Sequence, residues 1–106
     1  MKILKVLEDG LLEIRDIPGE LKSFQKEVGG LIDIVKINDK IDLIVNDEFL
    51  LNGSDPTLFL NNNLIICGNC FFRNQDETDL TEEQINYLFR KMRRLKNGML
   101  VWIGNI

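Results

Sequence analysis

The chain has 106 residues, of which 44% are hydrophobic and 28% are charged, and its net charge is −4. This length accommodates a single domain with one modest core, and the composition is that of a soluble globular protein rather than a disordered one. The lack of histidine removes the commonest general base and the commonest zinc ligand, and the acidic balance disfavours direct binding of nucleic acid, which needs a surplus of Lys and Arg.

The N-terminal segment is predicted to form a β-hairpin. Residues 2–7 and 11–14 are apolar runs on either side of Glu8, Asp9 and Gly10, which are typical of a tight turn. The apolar part of this terminus is too short for a signal peptide, and no apolar run in the chain approaches the roughly 20 residues that span a bilayer. We therefore expect a cytoplasmic protein without a membrane segment.

A short helix is predicted to follow the break at Pro18. Leu21, Phe24 and Val28 recur at helical spacing, and polar residues lie between them. The glycine pair at 29–30 ends this helix, because glycine adopts the left-handed capping conformation without a Cβ penalty.

Residues 31–48 are predicted to form a second hairpin, which lies at the centre of the sheet. Two runs rich in β-branched residues flank the turn residues Asn38, Asp39 and Lys40. Both faces of the first run are largely apolar, so we expect this pair of strands to lie inside the sheet with cover on each side. The short helix covers one face, and either the C-terminal helix or a second subunit covers the other.

The chain from 46 to 63 is expected to be irregular, because residues 52–56 and 61–63 are dense turn clusters. Its apolar residues nevertheless predict that this segment packs on the body of the protein. They are Phe49, Leu50, Leu51, Leu58, Phe59 and Leu60. Residues 64–72 predict a third long strand, and residues 76–79 predict an acidic loop.

The second helix has the clearest start signal in the chain. Thr81 and Gln84 have the spacing of a capping box, in which each side chain bonds the backbone N–H of the other residue. Acidic residues precede this helix and basic residues follow, which suits the helix dipole. The basic residues are Lys91, Arg93, Arg94 and Lys96, and the predicted buried stripe is Ile85, Leu88, Phe89, Met92 and Leu95. The helix ends at residues 97–98, and residues 99–103 predict a final strand.

Together these elements predict an α+β fold. Residues 1–106 form a single domain with a mostly antiparallel sheet of five or six strands, one short helix and one longer C-terminal helix. No internal repeat and no low-complexity tract stands out.

Several short motifs are shared with a known family. They are Gly30, Ile32 and Val35, then Asn46-Asp47-Glu48, then Ile66 and Gly68, and finally Leu80-Thr81-Glu82-Glu83-Gln84. On these residues, positions 1–87 resemble a family of small uncharacterised domains of phages, plasmids and other mobile elements, a domain of unknown function. Residues 88–106 lie outside the resemblance. Because that family has no agreed activity, the resemblance implies a context rather than a chemistry, namely a mobile-element protein that acts on its host.

Cys67 and Cys70 have the spacing of a redox or metal pair. They fall within an apolar strand rather than at a helix N-terminus, and residues three apart in a strand point to opposite faces. A zinc ion would need two more sulfur or imidazole ligands, and the chain has neither a third cysteine nor a histidine. We interpret both as ordinary reduced cysteines, and we predict no metal and no cofactor.

Acidic residues near the strand ends are the candidate partner-binding surface. Asp47 and Glu48 leave the central strand into a loop, where functional side chains are often displayed, although the same residue types also cap helices and stabilise turns. The predicted set is Asp39, Asp42, Asp47, Glu48, Asp76, Glu77 and Asp79, with Asp33, Glu82 and Glu83 nearby. A secondary basic helix face comprises Arg90, Arg93 and Arg94, which either complete the helix dipole as a solvated face or contact an acidic partner.

We expect a non-enzymatic protein, since the chain has no histidine and no paired nucleophile and base. The predicted function is that of an acidic anti-defence inhibitor, of anti-CRISPR or anti-restriction type. It binds a nuclease effector in the cytoplasm of the host cell and blocks the nucleic-acid-binding surface of that effector. The alternative is a small-molecule sponge that sequesters a nucleotide signal near Arg73 or residues 90–94. A homodimer is compatible with either function.

Overall fold

Two β-sheets and two helices make up the described part of the chain, which is residues 1–48, 55–60 and 64–104 of a computed structural model. The elements are β1 (Lys2–Val6), β2 (Leu12–Asp16), α1 (Leu21–Val28), β3 (Ile32–Lys36), β4 (Ile41–Asn46), β5 (Pro56–Leu60), β6 (Leu64–Cys67), β7 (Cys70–Asn74), α2 (Glu82–Lys91), β8 (Met92–Arg94) and β9 (Leu100–Trp102). The first sheet has the antiparallel order β2-β1-β7-β4-β3. The second has the order β6-β5-β9-β8, in which β5 and β9 are parallel. The predicted α+β class is confirmed, and the second sheet is an addition to it.

The first sheet buries both of its faces. On one face, α1 packs through Phe24 and Val28 against Ile3, Ile44 and Phe71. The other face meets α2 and the second sheet in a larger core, whose members include Leu4, Leu43, Val45, Leu58, Ile66, Phe72, Leu88 and Trp102. Cover on both faces is therefore confirmed, and the C-terminal helix shares the second cover with the second sheet.

The predicted central hairpin forms, but its first strand lies at the edge of the sheet. β4 is buried along its whole length between β3 and β7, whereas β3 has no outer neighbour among the described strands. Ile34 in β3 is 48% exposed, and the carboxylate of Asp33 accepts the backbone N–H of Ile34 at 2.8 Å. The interior position predicted for β3 is wrong, because apolar alternation sets which face of a strand is buried and not which strands lie beside it.

The segment predicted to be irregular contains a strand. Residues 56–60 form β5, in which Leu58 and Leu60 are buried, as the apolar composition predicts. The predictions for residues 49–54 and 61–63 lie outside the described residues. This strand was not predicted because turn-forming residue types lie close to position 56. Pro56 begins the strand and does not interrupt it.

The long strand predicted at residues 64–72 is two strands in different sheets. β6 and β7 are separated by Gly68 and Asn69. β6 pairs with β5 in the second sheet, while β7 lies between β1 and β4 in the first. The break occurs because β6 pairs with the preceding strand β5, whereas β7 pairs with the distant strands β1 and β4, and a continuous apolar run does not reveal this change of partner.

α2 ends earlier than the helical periodicity predicts. The backbone becomes extended at Met92, where β8 pairs with β9. The residues placed beyond the helix are Arg93, Arg94, Leu95 and Lys96. Phe89 is 42% exposed rather than buried. Strand pairing at Met92 outweighs local helix propensity, which is a weak preference. Neither described helix is long and apolar enough to cross a membrane.

A cluster of charged side chains holds α1 on the first sheet. Lys5 and Glu27 are buried, and Lys5 Nζ donates to Glu27 Oε2 at 2.7 Å. Arg15 Nη1 donates to the two carboxylate oxygens of Glu27 at 2.9 and 3.2 Å, and Arg15 Nε donates to Glu13 Oε1 at 2.9 Å. Burial raises the pKa of Glu27, but the hydrogen bonds from Lys5 and Arg15 outweigh it and hold that pKa below its ordinary value. Glu27 therefore stays ionised and joins α1 to β1 and β2.

We expect Glu27→Gln to lower the free energy of unfolding at neutral pH by about 2 kcal/mol, because hydrogen bonds to a charged group contribute roughly this much to stability. A folded-state pKa below the ordinary value gives stabilisation that is present at neutral pH and is lost as the pH falls through the acid range. The difference from wild type should therefore shrink below pH 4.5, the ordinary glutamate pKa. Denaturant titrations across this range measure it, with Glu20→Gln as the control because Glu20 makes no capping bond. A difference that does not change with pH contradicts the assignment.

Two hairpin turns touch where the ends of the sheets meet. Gly10 lies in the turn between β1 and β2, and Gly98 lies in the turn between β8 and β9. Gly10 has a φ of 82°, and a Cβ at this position would overlap the carbonyl oxygen of Gly98 and approach Arg94 Nη1 at 2.9 Å. The turn of the first sheet thus packs directly on the turn of the second.

A comparison of Gly10→Ala with Gly29→Ala separates the energetic cost of backbone strain from the cost of disturbing the contact between the two turns. Gly29 has nearly the same φ, 81°, but a Cβ there has nothing within 4 Å. Gly29→Ala should cost only the left-handed strain of about 1–2 kcal/mol. Gly10→Ala should cost about 1–3 kcal/mol more, because it also overpacks the turn contact. Thermal or urea unfolding measures both variants, and equal losses would show that the two turns do not constrain each other.

Candidate functional site

A groove of about 860 Å³ lies at one end of the first sheet. Because β4 and β7 are antiparallel neighbours, with Ile41 opposite Asn74, the turn before β4 and the loop after β7 emerge at the same end. α2, from its cap Thr81 to Arg90, forms the remaining wall. The charged residues that line the groove are Asp39, Lys40, Asp76, Asp79, Glu83 and Arg90.

Side-chain amides hold the turn and the loop together. Asn38 Oδ1 accepts the backbone N–H groups of Lys40 and Ile41, both at 2.8 Å. Gln75 donates its backbone N–H to the carbonyl of Lys40 at 2.8 Å, and its Nε2 donates to the carbonyl of Asn38 at 3.2 Å and to Asp42 at 3.0 Å. The β3–β4 turn is thus fixed against the chain that leaves β7.

A reciprocal amide pair joins the end of β7 to the start of α2. Asn74 is buried; its Nδ2 donates to Gln84 Oε1 at 3.0 Å, and its Oδ1 accepts from Gln84 Nε2 at 2.7 Å. Asn74 Nδ2 also donates to the carbonyl of Asp79 at 3.0 Å. Gln84 Oε1 accepts the N–H of Thr81 at 2.9 Å, and Thr81 Oγ1 accepts the N–H of Gln84 at 3.1 Å. The predicted capping box is confirmed, and it is part of the groove wall.

Two of the four groove carboxylates have structural partners. Asp76 Oδ1 accepts from the hydroxyl and the N–H of Thr78 at 2.6 and 3.1 Å, and these bonds lower the pKa of Asp76. Asp79 Oδ1 accepts the N–H of Lys2 at 2.7 Å. Asp39 has only Lys36 nearby, at 3.9 Å, and the side chain of Glu83 bonds no described residue. The groove therefore carries fixed negative charge and two carboxylates that are available to a partner.

The structure brings together only some of the acidic residues predicted to bind a partner. Asp39, Asp76 and Asp79 share the groove, and Glu77 lies in the same loop with a φ of 66°. Asp42 is buried, and its Oδ2 lies 3.7 Å from Arg73 Nη2. It is therefore a structural ion-pair partner rather than a surface charge.

The other predicted acids lie far from the groove. Asp47 and Glu48 follow β4 at the opposite end from Ile41, and six residues of strand span roughly 17 Å. Both are exposed, and their backbone N–H groups bond the carbonyl of Leu31 and Oδ1 of Asn46. The predicted acidic surface is thus divided between two ends of the molecule.

The predicted basic face is also divided. Arg90 lines the groove, whereas Arg93 and Arg94 lie on β8, where Arg94 Nη1 donates to the carbonyl of Gly98 at 3.2 Å. Arg73, a candidate for binding a nucleotide signal, lies on the α1 side of the sheet. Its guanidinium carbon is 5.1 Å from the ring centre of Phe24. Of these cations, Arg90 alone is placed to contact a ligand in the groove.

Cys67 and Cys70 are both free and buried. They lie in β6 and β7, which belong to different sheets. Burial raises the pKa of the Cys67 thiol, with a further contribution from Asp55, and burial raises the pKa of Cys70 to about 12. Both side chains are neutral thiols of low reactivity near neutral pH.

The amides that shape the groove were not predicted from the sequence. Asn74 ends β7 and Gln75 lies in the turn that follows, while Gln84 was assigned only to the capping box. Because side-chain amides have no charge, spacing or motif that marks them as partners, the pairing of Asn74 with Gln84 depends on the packing of α2 against β7. The polar pair that ends an otherwise apolar strand was the only available signal.

Comparison with known proteins gives a family match. The family model described as a domain of unknown function, DUF3846, matches residues 1–93. That range contains the first sheet, α2 and the whole groove. No curated protein and no solved structure matches the chain significantly.

Asn74→Ala is expected to lower the free energy of unfolding by about 2–3 kcal/mol, because it leaves the half-buried Nε2 of Gln84 and the carbonyl of Asp79 without their partner. The control is Asn86→Ala on the exposed side of α2, which should change stability by less than about 0.5 kcal/mol. Urea unfolding monitored by circular dichroism measures both. Equal effects of the two substitutions would contradict a structural role for the amide pair.

Proposed function

We propose a function from the premise that the chain belongs to the DUF3846 family, a domain of unknown function whose description assigns no chemistry. The protein is a non-enzymatic binding protein that docks through its groove on a basic surface of a partner protein. More specifically, we propose that the partner is a nuclease of host defence, of CRISPR or restriction type. Binding would block the surface with which that nuclease holds nucleic acid.

The observation that carries the proposal is the concentration of negative charge in a concave, rigid site. Four carboxylates and two cations line the groove. The hydrogen bonds from Thr78 lower the pKa of Asp76 and keep this carboxylate ionised. A concave wall with an excess of one charge sign focuses the electrostatic field and favours a partner of the opposite sign. Surfaces that hold nucleic acid are rich in Lys and Arg, so they have the required complement.

The state of the groove side chains supports binding rather than catalysis. The lowered pKa makes Asp76 a weak base, and Asp79 is held by the N–H of Lys2. The amides of Asn74 and Gln84 bond each other rather than pointing into open space. Such a site presents shape and charge to a partner, and it has little to offer a proton-transfer step.

A small-molecule ligand is the second candidate function. The groove volume falls within the roughly 300–1,000 Å³ of ligand pockets, and Tyr87, Lys40 and Arg90 are available along its walls. The four carboxylates disfavour an anionic nucleotide, whereas a cationic or neutral ligand fits better. A thermal-shift screen that includes cyclic nucleotides separates this function from protein docking, because a tight ligand raises the melting temperature.

Asp39→Lys tests the groove as the docking surface. Asp39 is fully exposed and has only a weak structural partner, so its reversal should leave the fold intact. The matched control is Glu20→Lys, which changes the net charge equally at an exposed site outside the groove. Tagged wild type should retain a Cas or restriction nuclease from host lysate at low salt, and raised salt or duplex DNA should release it.

With the retained nuclease purified, Asp39→Lys should weaken binding about tenfold and reduce inhibition of DNA cleavage in proportion, while Glu20→Lys should not. Calorimetry and a cleavage assay measure the two effects. If no nuclease is retained at low salt, the proposal of a nuclease partner fails. If both reversals weaken binding equally, the groove is not the docking surface.

A further inference from the structure

The exposed side of α2 carries opposite charges at its two ends. Glu82, Glu83, Asn86, Phe89 and Arg90 are all exposed along one stripe of this helix. The acids lie one turn before Asn86, and Phe89 and Arg90 lie one turn after it. The charge pattern is therefore arranged evenly about Asn86.

These charges cannot neutralise each other within the helix. Residues three or four apart are neighbours on a helix surface, but seven or eight residues separate the acids from Arg90, which is about 10–12 Å along the axis. Among the described residues, neither Glu82, Glu83 nor Arg90 takes part in an ion pair. Each end of the stripe thus presents charge that no described side chain pairs.

Phe89 adds an apolar group to the same stripe. It is 42% exposed, although its neighbours Ile85 and Leu88 are buried in the core. A large aromatic ring beside unpaired charges is typical of a contact surface, since aromatic residues and Arg are enriched in interfaces.

We propose that this stripe pairs with the α2 stripe of a second copy of the chain, in an antiparallel dimer whose two-fold axis passes beside Asn86. Residues equally spaced on either side of that axis then face each other. Arg90 of each copy meets Glu82 and Glu83 of the other, and each Phe89 lies against the Asn86 and the aliphatic stem of Glu83 across the interface. The same patch serves both copies, as a two-fold dimer requires.

A second copy fits this stripe better than an unrelated protein does. The two-fold arrangement places the acids of each helix beside Arg90 of the other, which gives two sets of ion pairs between helices in addition to the favourable interaction of each charge with the dipole of its own helix. No like charges face each other in it. Because the pairs are exposed at the rim, the dimer is salt-sensitive.

The dimer and the partner proposed for the groove use different residues except for Glu83 and Arg90, which belong to both surfaces. Asp39 and Asp76 lie on the β3–β4 turn and the loop after β7, away from the stripe, while Glu83 and Arg90 form the border that the two surfaces share. Pairing of the helices would bring the grooves of the two copies side by side.

Charge reversal in two complementary variants gives the sharpest test. In one variant Arg90→Glu makes the whole stripe acidic, and in the other Glu82→Arg with Glu83→Arg makes it basic. Each variant alone repels its own copy, so its dimer dissociation constant should rise at least about tenfold above that of wild type. An equal mixture of the two should form a mixed dimer, because each end then meets the opposite charge.

Sedimentation equilibrium of the full chain at low and high salt measures these constants, and circular dichroism melting verifies that each variant is folded. The matched control is Lys22→Glu on the exposed side of α1, which should dimerise as wild type does. Asn86→Arg, which places two cations at the axis and keeps a good helix former, should also give a monomer. The proposal is overturned if wild type is monomeric at low salt, if either reversal leaves dimerisation unchanged, or if the mixture does not associate.

Discussion

The hydrogen-bonded amide pair of Asn74 and Gln84 connects the two parts of the molecule on which the candidate site depends. Asn74 ends β7, the middle strand of the first sheet, and Gln84 belongs to the first turn of α2. Because Gln84 also completes the capping box with Thr81, one interaction sets where α2 begins and how it lies on the sheet. The groove wall follows from that placement. A substitution in this pair would therefore alter the position of both the helix stripe and the acidic groove, although neither residue of the pair is charged.

The sequence predicts the elements whose signals are local. The two hairpins follow from turn residues between apolar runs, α1 follows from helical spacing that ends at Gly29, and the start of α2 follows from Thr81 and Gln84. The predictions that failed depend on which strands pair, which the pattern within one segment does not show. Met92 leaves the helix to pair with Trp102, and β6 and β7 separate because their neighbours differ. Periodicity shows that a residue is buried, but it does not show which strand lies beside it.

The candidate site illustrates the same limit for charge. Its acidic character was predictable from Asp39, Asp76 and Asp79, which lie near the ends of predicted strands. The sequence did not predict which carboxylates are bonded within the fold and which are available to a partner. Asp42 forms an ion pair with Arg73, and Asp79 accepts a hydrogen bond from the N–H of Lys2, whereas Glu83 is exposed to solvent. The net charge of the chain is thus a poor measure of the charge that a partner meets, because a buried, ion-paired carboxylate such as Asp42 contributes little to the surface charge.

The corner between β6 and β7 has a consequence for the way in which the molecule can open. Only Gly68 and Asn69 separate the two strands, and the hydroxyl of Thr57 donates to the carbonyls of Ile66 and Gly68 on this corner. Since β7 lies between β1 and β4, this short corner ties the second sheet to the middle of the first. We therefore expect partial unfolding to begin in the outer strands and the two sheets to unfold as one cooperative unit.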